Sequence, residues 1–305
     1  MILVAGVIIM YKLYPVNKKL EIHSLHSLFE AERSKEYSFP GEAHDFWECV
    51  YVEDGNICVS GDGRIYHLTK GDIIFHKPME IHKYNVENCK AARLFIFAFS
   101  ASGEAVNFFK NRVFRLEGHA KAAMCGFLEF THGVMSESAG EKAADMWRKL
   151  DTWMMLGELC KRKDTYPDIA AAYIYMLMML LYETDCDISP VSDLPDTVIF
   201  EAAVAFMSKN ISENLLVPEI AAQCGVSLTS LKNIFGRFAG MSVHKYFIKQ
   251  KIGIAMRLLR QGVSVTETAE KLGFSSQSYF TSVCKRETGL CPTELKDKEI
   301  GIREQ

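Results

Sequence analysis

The sequence lacks the cysteine patterns that mark disulfide-rich domains and zinc-binding domains. Its nine cysteines are scattered along 305 residues, with no C-x-x-C pair and no paired metal-ligand spacing. Disulfide frameworks and zinc sites need repeated short spacings, so scattered cysteines are typical of free thiols in a reducing compartment. The pattern argues against a small disulfide-stapled secreted domain and favours a cytoplasmic protein.

Long hydrophobic runs are also missing. The apolar stretch 1–10 is about half the length of a membrane-spanning helix, and it has no basic region or small-residue cleavage pattern. We interpret it as a first β-strand or as residues upstream of a mis-assigned start. The apolar stretch Ile169–Tyr182 is also too short to span a bilayer. No membrane partner is expected.

The net charge is small but unevenly distributed. Residues 1–197 carry 21 Lys and Arg against 28 Asp and Glu, whereas residues 198–305 carry 14 against 10. The first part therefore has a net charge of −7 and the second a net charge of +4. A basic part behind an acidic one favours a polyanionic partner for the second part alone. The length predicts two domains.

The stretch 265–295 has the pattern of a helix-turn-helix. Gly273 can take the positive φ that the corner between two short helices needs, and Gly289 ends the second helix. The apolar face of that second helix is expected to consist of Tyr279, Phe280 and Val283. Its other face is polar and cationic, as in helices that enter a DNA groove.

A shift of 49 residues reveals a second unit, in which Gly240 matches Gly289. The two units are placed at about residues 217–240 and 265–289, joined by a predicted helix over residues 243–261. Nineteen helical residues span roughly 28 Å. A spacer close to one DNA turn, ~34 Å, lets both recognition helices enter successive major grooves.

The first unit departs from its twin inside the recognition helix. Gly236 costs about 1 kcal/mol of helix stability relative to Ala. Phe238 and Ala239 stand where polar residues are expected. Base reading is therefore expected to be weaker in the first unit.

About twenty consecutive positions, G-F-S-S-Q-S-Y-F-T-S-V-C-K-R-E-T-G-L-C-P, closely resemble the signature of AraC/XylS-type transcriptional regulators. Cys284 departs from that signature, because the family usually has an aromatic residue there. The resemblance implies a regulator that binds double-stranded promoter DNA through an all-α carboxy-terminal domain.

Side chains that donate and accept hydrogen bonds are expected to read bases, as Gln does at adenine and Arg at guanine. The candidates in the first unit are Thr229, Ser230, Lys232, Asn233 and Arg237. Those in the second unit are Ser276, Gln277, Ser278, Thr281, Ser282, Lys285 and Arg286. Lys285 and Arg286 could instead contact only phosphate, which positions a protein without reading sequence.

Short β-rich runs between turn residues fill residues 11–100, which predicts a sandwich or barrel. Two segments, H-D-F-W-E-C-V-Y-V-E-D-G and G-D-G-R-I-Y-H-L-T-K-G-D-I-I-F-H-K-P-M-E-I-H-K-Y, resemble the cupin-type sensor domain of many AraC-type regulators. The resemblance implies a small-molecule effector bound inside the barrel.

A few polar groups among aromatic side chains are what a small-molecule site needs. The predicted ligand-binding residues are His44, Phe46, Trp47, Glu48, Tyr51, His76 and His82. An error of one residue in the strand register would move every one of these side chains to the opposite face of its sheet. His44, Glu48 and His82 could form a metal-binding triad. Metal-binding cupins, however, carry H-x-H, and Phe46 occupies the position two after His44, so no metal and no other cofactor are expected.

The predicted architecture is an α+β multidomain chain. Residues 1–103 form a cupin-like β-barrel, 104–183 a helical connector and dimerisation region, 184–197 a linker, and 198–305 an all-α domain with two helix-turn-helix motifs. The most apolar connector helix must be covered. Either the barrel or a second copy can cover it, and the resemblance favours a homodimer.

The predicted function is that of a cytoplasmic, non-enzymatic regulator, an activator rather than a repressor, that responds to a small effector and contacts RNA polymerase. One alternative is a metal-dependent cupin enzyme fused to a DNA-binding tail. Another is a constitutive DNA-binding regulator whose barrel holds no ligand. A thiol sensor at Cys49 or Cys58 is disfavoured, since the scattered cysteines offer no resolving partner.

Overall fold

The computed structural model describes residues 2–4, 7–9, 14–37, 41–139, 164–182, 184 and 195–297. Strands dominate the amino-terminal part: β1 (Ile2–Val4), β2 (Val7–Ile9), β3 (Glu21–Ser34), β4 (Trp47–Asp54), β5 (Asn56–Gly61), β6 (Arg64–Thr69), β7 (Asp72–His76), β8 (His82–Val86), β9 (Ala91–Ser102) and β10 (Val113–Arg115). A short 3-10 helix, Glu104–Phe109, separates the last two strands.

Strands β3 to β10 form a sandwich of two antiparallel sheets, here called the β-domain. The larger sheet has the order β10-β7-β4-β9-β3 and the smaller β6-β5-β8, while β1 pairs only with β2. Alternation places Val50 and Val52 of β4 in one core with Ile57 and Val59 of β5. The space between the sheets is therefore filled by branched aliphatic and aromatic side chains.

Two helices, α1 (Gly118–Ala139) and α2 (Tyr166–Leu181), cover the outer face of the larger sheet. Ile174 and Met178 of α2 are fully buried in a core shared with that sheet, whereas Met176 is 42% exposed. The β-domain thus covers one face of the predicted connector helix. Residues 140–163 of the predicted connector and most of the predicted linker lie outside the described residues.

The carboxy-terminal part, here called the helical domain, consists of α3 (Pro195–Lys209), α4 (Val217–Gln223), α5 (Leu228–Ala239), α6 (Val243–Arg260), α7 (Val265–Lys271), α8 (Gln277–Thr288) and α9 (Pro292–Asp297). The spacer helix α6 has 18 residues, or roughly 27 Å of helix. Pro195 and Asp196, predicted to lie in the linker, begin α3 instead, because proline is well tolerated in a first helical turn. None of the helices in the described part of the chain is long and apolar enough to cross a membrane.

Both units have serine and glycine caps around the recognition helices α5 and α8. Ser227 accepts a hydrogen bond from the backbone N–H of Ser230, and Ser276 accepts one from that of Tyr279. Each helix ends at a glycine in the left-handed region, Gly240 with φ 65° and Gly289 with φ 77°. These observations confirm the predicted α+β architecture with two helix-turn-helix units.

Candidate functional site

Helix α8 presents the predicted polar face of the second unit to solvent. The exposed predicted residues are Ser276, Gln277, Ser278, Ser282, Lys285 and Arg286, while Thr281 is half-buried. The buried stripe is Phe280, Val283 and Cys284, at i, i+3 and i+4. The predicted apolar face was therefore wrong at Tyr279, which lies one position, or about 100°, away from Phe280 and is 45% exposed.

Helix α5 exposes all five predicted residues of the first unit: Thr229, Ser230, Lys232, Asn233 and Arg237. Phe238 and Ala239, which replace the polar pair at the end of this helix, are buried. They share a core with Cys58, Ile65 and Ile81 of the β-domain. Their apolar character is explained by this contact with the β-domain.

The β-domain also satisfies main-chain carbonyls at the end of α5. Such carbonyls have no partner within their own helix. The ammonium of Lys83 donates to the Gly236 carbonyl at 3.1 Å, and the Asn85 amide donates to the Arg237 carbonyl at 3.5 Å. The Ser60 hydroxyl donates to the Phe238 carbonyl. Three donors on one sheet face therefore hold the first recognition helix.

A second link joins the β-domain to the far end of the spacer helix. Arg260 contacts Asp45 at 2.9 Å between guanidinium and carboxylate. The backbone at Gly41 of the β-domain lies so close to the end of α5 that no side chain fits. A Cβ there would lie 2.3 Å from the Ala239 carbonyl oxygen. Gly41 also has φ +72°, so a larger residue would be strained there for two reasons.

Six titratable side chains meet at the end of the sandwich that faces the helical domain, and we call them the polar cluster: Glu42, His44, Glu48, His76, Glu80 and His82. Glu48 and His76 are cross-strand partners on β4 and β7. The Nε2 atom of His82 lies 3.2 Å from a Glu48 oxygen, and Nδ1 of His76 lies 2.8 Å from a Glu80 oxygen. The rings of His76 and His82 stack with centroids 4.2 Å apart.

The cluster contains four of the seven predicted ligand-binding residues, and Phe46 borders it, stacked on His44 at 3.9 Å between ring centroids. The prediction was wrong for Trp47 and Tyr51. Both lie on the opposite face of β4 from Glu48 and pack in the core beneath α1 and α2. Successive side chains of a strand point to opposite faces, so these two cannot line the same site as Glu48.

Sequence reasoning missed Glu42 and Glu80. Glu42 lies two residues before His44, whereas only the position two residues after it was tested in the sequence analysis. Glu80 lies two residues before His82. Space for Glu80 depends on Gly61, since a Cβ there would lie 2.1 Å from a Glu80 carboxylate oxygen. The spacing of two was the available signal at both positions.

The electrostatics of the cluster favour a charged His82. Burial lowers the pKa of His82, but the contact with Glu48 outweighs it and raises the pKa to about 9. Burial raises the pKa of Glu48, yet His44 and His82 bring that pKa well below its ordinary value. Burial, with the neighbouring His82, lowers the pKa of His76. At neutral pH a buried ion pair therefore lies beside a neutral His76.

Two ring nitrogens in the cluster have no hydrogen-bond partner among the described residues: Nε2 of His44 and Nε2 of His76. In His76, Nδ1 faces the Glu80 carboxylate, so Nδ1 carries the proton and Nε2 presents a lone pair. In His44, Nδ1 contacts the Phe46 carbonyl at 3.0 Å, while Nε2 lies 3.6 Å from a Glu48 oxygen, beyond hydrogen-bond distance. A bound molecule with a hydrogen-bond donor would satisfy Nε2 of His76.

The cluster also has the donor set for a cation. Glu42, His44, Glu48 and His82 each offer one ligand atom, and these atoms lie within 4.8 Å of one another. Glu42 adds a fourth member to the triad identified in the sequence. Two imidazoles and two carboxylates fit a divalent transition metal ion.

The cavities nearest the cluster lie between the two domains. One of about 210 Å³ is lined by His44 and Met79 of the β-domain and by Lys249, Glu287 and Thr288 of the helical domain. A larger cavity of about 610 Å³ is also lined by Met79. The resemblance implied a ligand inside the barrel, but the interior is filled by the core, and this space opens at its end.

Comparisons with known proteins agree with this two-domain organisation. A model of the AraC-like ligand binding domain matches residues 25–118, and a helix-turn-helix domain model matches residues 220–298. The HTH-type transcriptional activator RhaR of Mannheimia succiniciproducens is 21% identical over 287 residues, 91% of this chain and 97% of that protein. The solved structure of ToxT from Vibrio cholerae is 12% identical over 96% of this chain and all of that chain, with a TM-score of 0.38.

The virulence regulon transcriptional activator VirF of Yersinia enterocolitica is 34% identical over 96 residues. That similarity spans 31% of this chain and about a third of VirF, 35% of its length. The two matched domains occur in one chain, in the order that the sequence resemblance implied. The chain belongs to the AraC-type transcriptional regulators, with an AraC-like ligand-binding domain ahead of its helix-turn-helix domain.

Proposed function

We propose that this protein binds promoter DNA through α5 and α8 and that an effector at the polar cluster controls this binding. The observation that carries the first part is the sidedness of α8. Phe280, Val283 and Cys284 are buried in the helical domain, while Gln277, Lys285 and Arg286 are exposed. An exposed face of amide, hydroxyl and cationic groups on the second helix of such a unit suits the major groove.

Binding is tested by selecting duplexes from a random library with the full chain. The expected product is a sequence with two half-sites about 10 base pairs apart, because one helical spacer joins the two units. Affinity should fall steeply with salt as phosphate contacts release counterions. A protein that enriches no sequence and shows no salt-sensitive affinity for duplex DNA does not have this function.

Effector control follows from where the cluster lies. His44 belongs to the cluster and also lines the 210 Å³ cavity with Glu287 and Thr288 at the end of α8. A molecule bound there contacts both domains, so its affinity depends on how they are docked. A ligand shifts an equilibrium only when it binds the two arrangements unequally, and a site between domains meets that condition.

The effector is expected to be small, to contact His44 in the cavity and to donate a hydrogen bond to Nε2 of His76. A thermal-shift screen of the full chain against metabolites should find compounds that raise the unfolding midpoint by mass action. His44→Ala and His76→Ala should abolish the shift. The control His119→Ala removes an exposed histidine outside the cluster and should keep the shift. A shift that survives both cluster variants would place the effector elsewhere.

A metal is the competing occupant of the cluster. Stoichiometric iron, manganese or zinc that purifies with the protein and is lost in His44→Ala would make the ion part of the site. Turnover by such an ion would support the metal-enzyme alternative, whereas our proposal is a non-enzymatic regulator.

Further aspects of the proposal concern partners. We expect activation through contact with RNA polymerase in the cytoplasm, in line with the activator names of the relatives. We also expect a homodimer, because α2 exposes Ile169 (38%), Met176 (42%) and Leu180 (36%). Sedimentation of the wild-type chain and of Met176→Glu tests the dimer, which the charge should weaken.

A further inference from the structure

The smaller sheet carries a second group of metal-ligand side chains, separate from the polar cluster. Cys58 on β5 and His67 on β6 are direct cross-strand partners. Asn85 on β8 pairs with Cys58 from the other side, and Glu87 follows two residues later, so its side chain has the same facing. One ligand atom each from Cys58, His67 and Glu87 lies within 4.8 Å of the other two.

We propose that Cys58, His67 and Glu87 bind a Zn²⁺ ion and leave a fourth position open to water. A thiolate, an imidazole and a carboxylate form a ligand set that Zn²⁺ accepts, and three protein ligands with an open position are a common arrangement. Zinc–ligand bonds of about 2.0–2.3 Å place tetrahedral ligand atoms about 3.3–3.6 Å apart. The three ligand atoms now lie within 4.8 Å of one another and would adjust to that spacing when the ion binds.

Two of the three proposed ligands are accessible from solvent. The side chains of His67 and Glu87 are each 36% exposed and already contact each other, whereas Cys58 is only 9% exposed. Burial raises the pKa of Cys58 to about 12, so the free thiol holds its proton. Binding forms the zinc–sulfur bond and releases that proton to solvent, because the charge of the ion favours the thiolate.

The proposed site lies beside the contact between the β-domain and α5. Cys58 belongs to the same core as Phe238, and Asn85 donates to the Arg237 carbonyl. An ion bound there would therefore lie next to the contact that holds the first recognition helix.

Cobalt distinguishes this site from the polar cluster. Co²⁺ bound to a thiolate shows a sulfur-to-metal charge-transfer band, whereas the polar cluster offers only nitrogen and oxygen ligands. The reduced, metal-free full chain should bind one equivalent of Co²⁺ with this band, and Zn²⁺ should displace it. Cys58→Ser should remove the band. It should also weaken Zn²⁺ binding at least about 100-fold, since even an outer-shell partner is worth about 10–100-fold.

Two further variants make the result decisive. Cys89→Ser is the matched control, because the Cys89 sulfur lies near the backbone oxygens of Asn56 and Ala91 instead, and the band should remain. His67→Ala removes a half-exposed ligand and should weaken Zn²⁺ binding even if Cys58→Ser fails to fold. No band in the wild-type chain, or a band that survives Cys58→Ser and His67→Ala, overturns the site. The band and the Zn²⁺ affinity are both measured without DNA, so this result is independent of the DNA-binding test.

Discussion

The two helix-turn-helix units have the same caps but are held by different parts of the molecule. In the first, Lys83 of the β-domain donates to the Gly236 carbonyl near the end of α5. In the second, Lys251 of the spacer helix donates at 2.8 Å to the Leu272 carbonyl at the end of α7 and to the Glu213 carbonyl. Each unit thus uses one buried lysine to satisfy helix-end carbonyls, but from different domains.

This difference assigns separate tasks to the units. The second is held within the helical domain and presents its polar face irrespective of the β-domain. The first is tied by its last turn to the domain that contains the proposed effector site. We therefore expect the second unit to dominate base reading and the first to transmit the signal.

The largest expected effect comes from Lys251→Ala. Lys251 is 3% exposed, and its ammonium also lies 4.8 Å from the centre of the Phe247 ring. Its removal leaves the carbonyls of Glu213 and Leu272 without this donor, and each unsatisfied buried group costs about 1–3 kcal/mol. The free energy of unfolding should fall by about 2–4 kcal/mol, measured by urea unfolding of the full chain.

Lys245→Ala is the control for this loss, because Lys245 is exposed on the same helix and should change stability by less than about 0.5 kcal/mol. Equal stability of the two variants would mean that Lys251 does not stabilise the second unit. Burial lowers the pKa of Lys251, so the folded chain releases this proton at a lower pH than the unfolded chain does. The free energy of unfolding should therefore rise rather than fall as the pH passes through that window.

The next effect concerns DNA. Gln277 is exposed at the start of α8 and is oriented by a 2.8 Å hydrogen bond from the Thr266 hydroxyl. Gln277→Ala should cost about 1–3 kcal/mol of specific binding and leave nonspecific binding unchanged. Asn233→Ala, the matched amide of the first unit, should cost less. Gel shifts at fixed salt compare them, and equal losses on specific and random duplexes would contradict base reading by Gln277.

Lys83→Ala tests the link between the β-domain and the first unit. Loss of one charge-assisted hydrogen bond, worth about 1.5 kcal/mol, should speed hydrogen exchange of α5 amides roughly tenfold, since 1.4 kcal/mol is a factor of ten. Exchange in α8 should not change. Asn85→Ala should have a smaller effect, because the Asn85 amide lies 3.5 Å from the Arg237 carbonyl and this hydrogen bond is weaker. Equal acceleration in both recognition helices would mean that the β-domain does not hold the first unit selectively.

The sequence predicted the helix-turn-helix units well because their determinants are local. Glycine at a corner, serine at a cap and a stripe at i, i+3 and i+4 are set within one or two helical turns. The prediction for α8 was wrong at Tyr279, because the apolar face was taken to begin there. The buried face begins one residue later, at Phe280. The sequence showed that Phe238 departs from the expected polar residue. It is apolar because it packs against Cys58 and Ile65, which lie far away in the chain, so no local pattern reveals the contact.

The β-domain was predicted less well because the facing of a strand residue depends on register. His44, Glu48, His76 and His82 were identified as polar residues in an apolar context, and the structure brings them together. Trp47 and Tyr51 were assigned to the same site although they alternate with Glu48. Their burial under α1 and α2 depends on contacts with segments far along the chain, and only the folded arrangement shows it.

The smallest effect, and the sharpest contrast between the units, is expected for Gly236→Ala. Gly236 lies inside α5, and a Cβ there would have no atom within 4 Å outside its own helix backbone. Alanine should therefore stabilise the helix by up to about 1 kcal/mol. The substitution leaves the carbonyl that accepts from Lys83 in place, so docking should persist. A rise in the thermal midpoint with unchanged hydrogen exchange at the α5–β-domain contact is expected. A fall would contradict the open surroundings of Gly236 and mean that the docked helix needs glycine there.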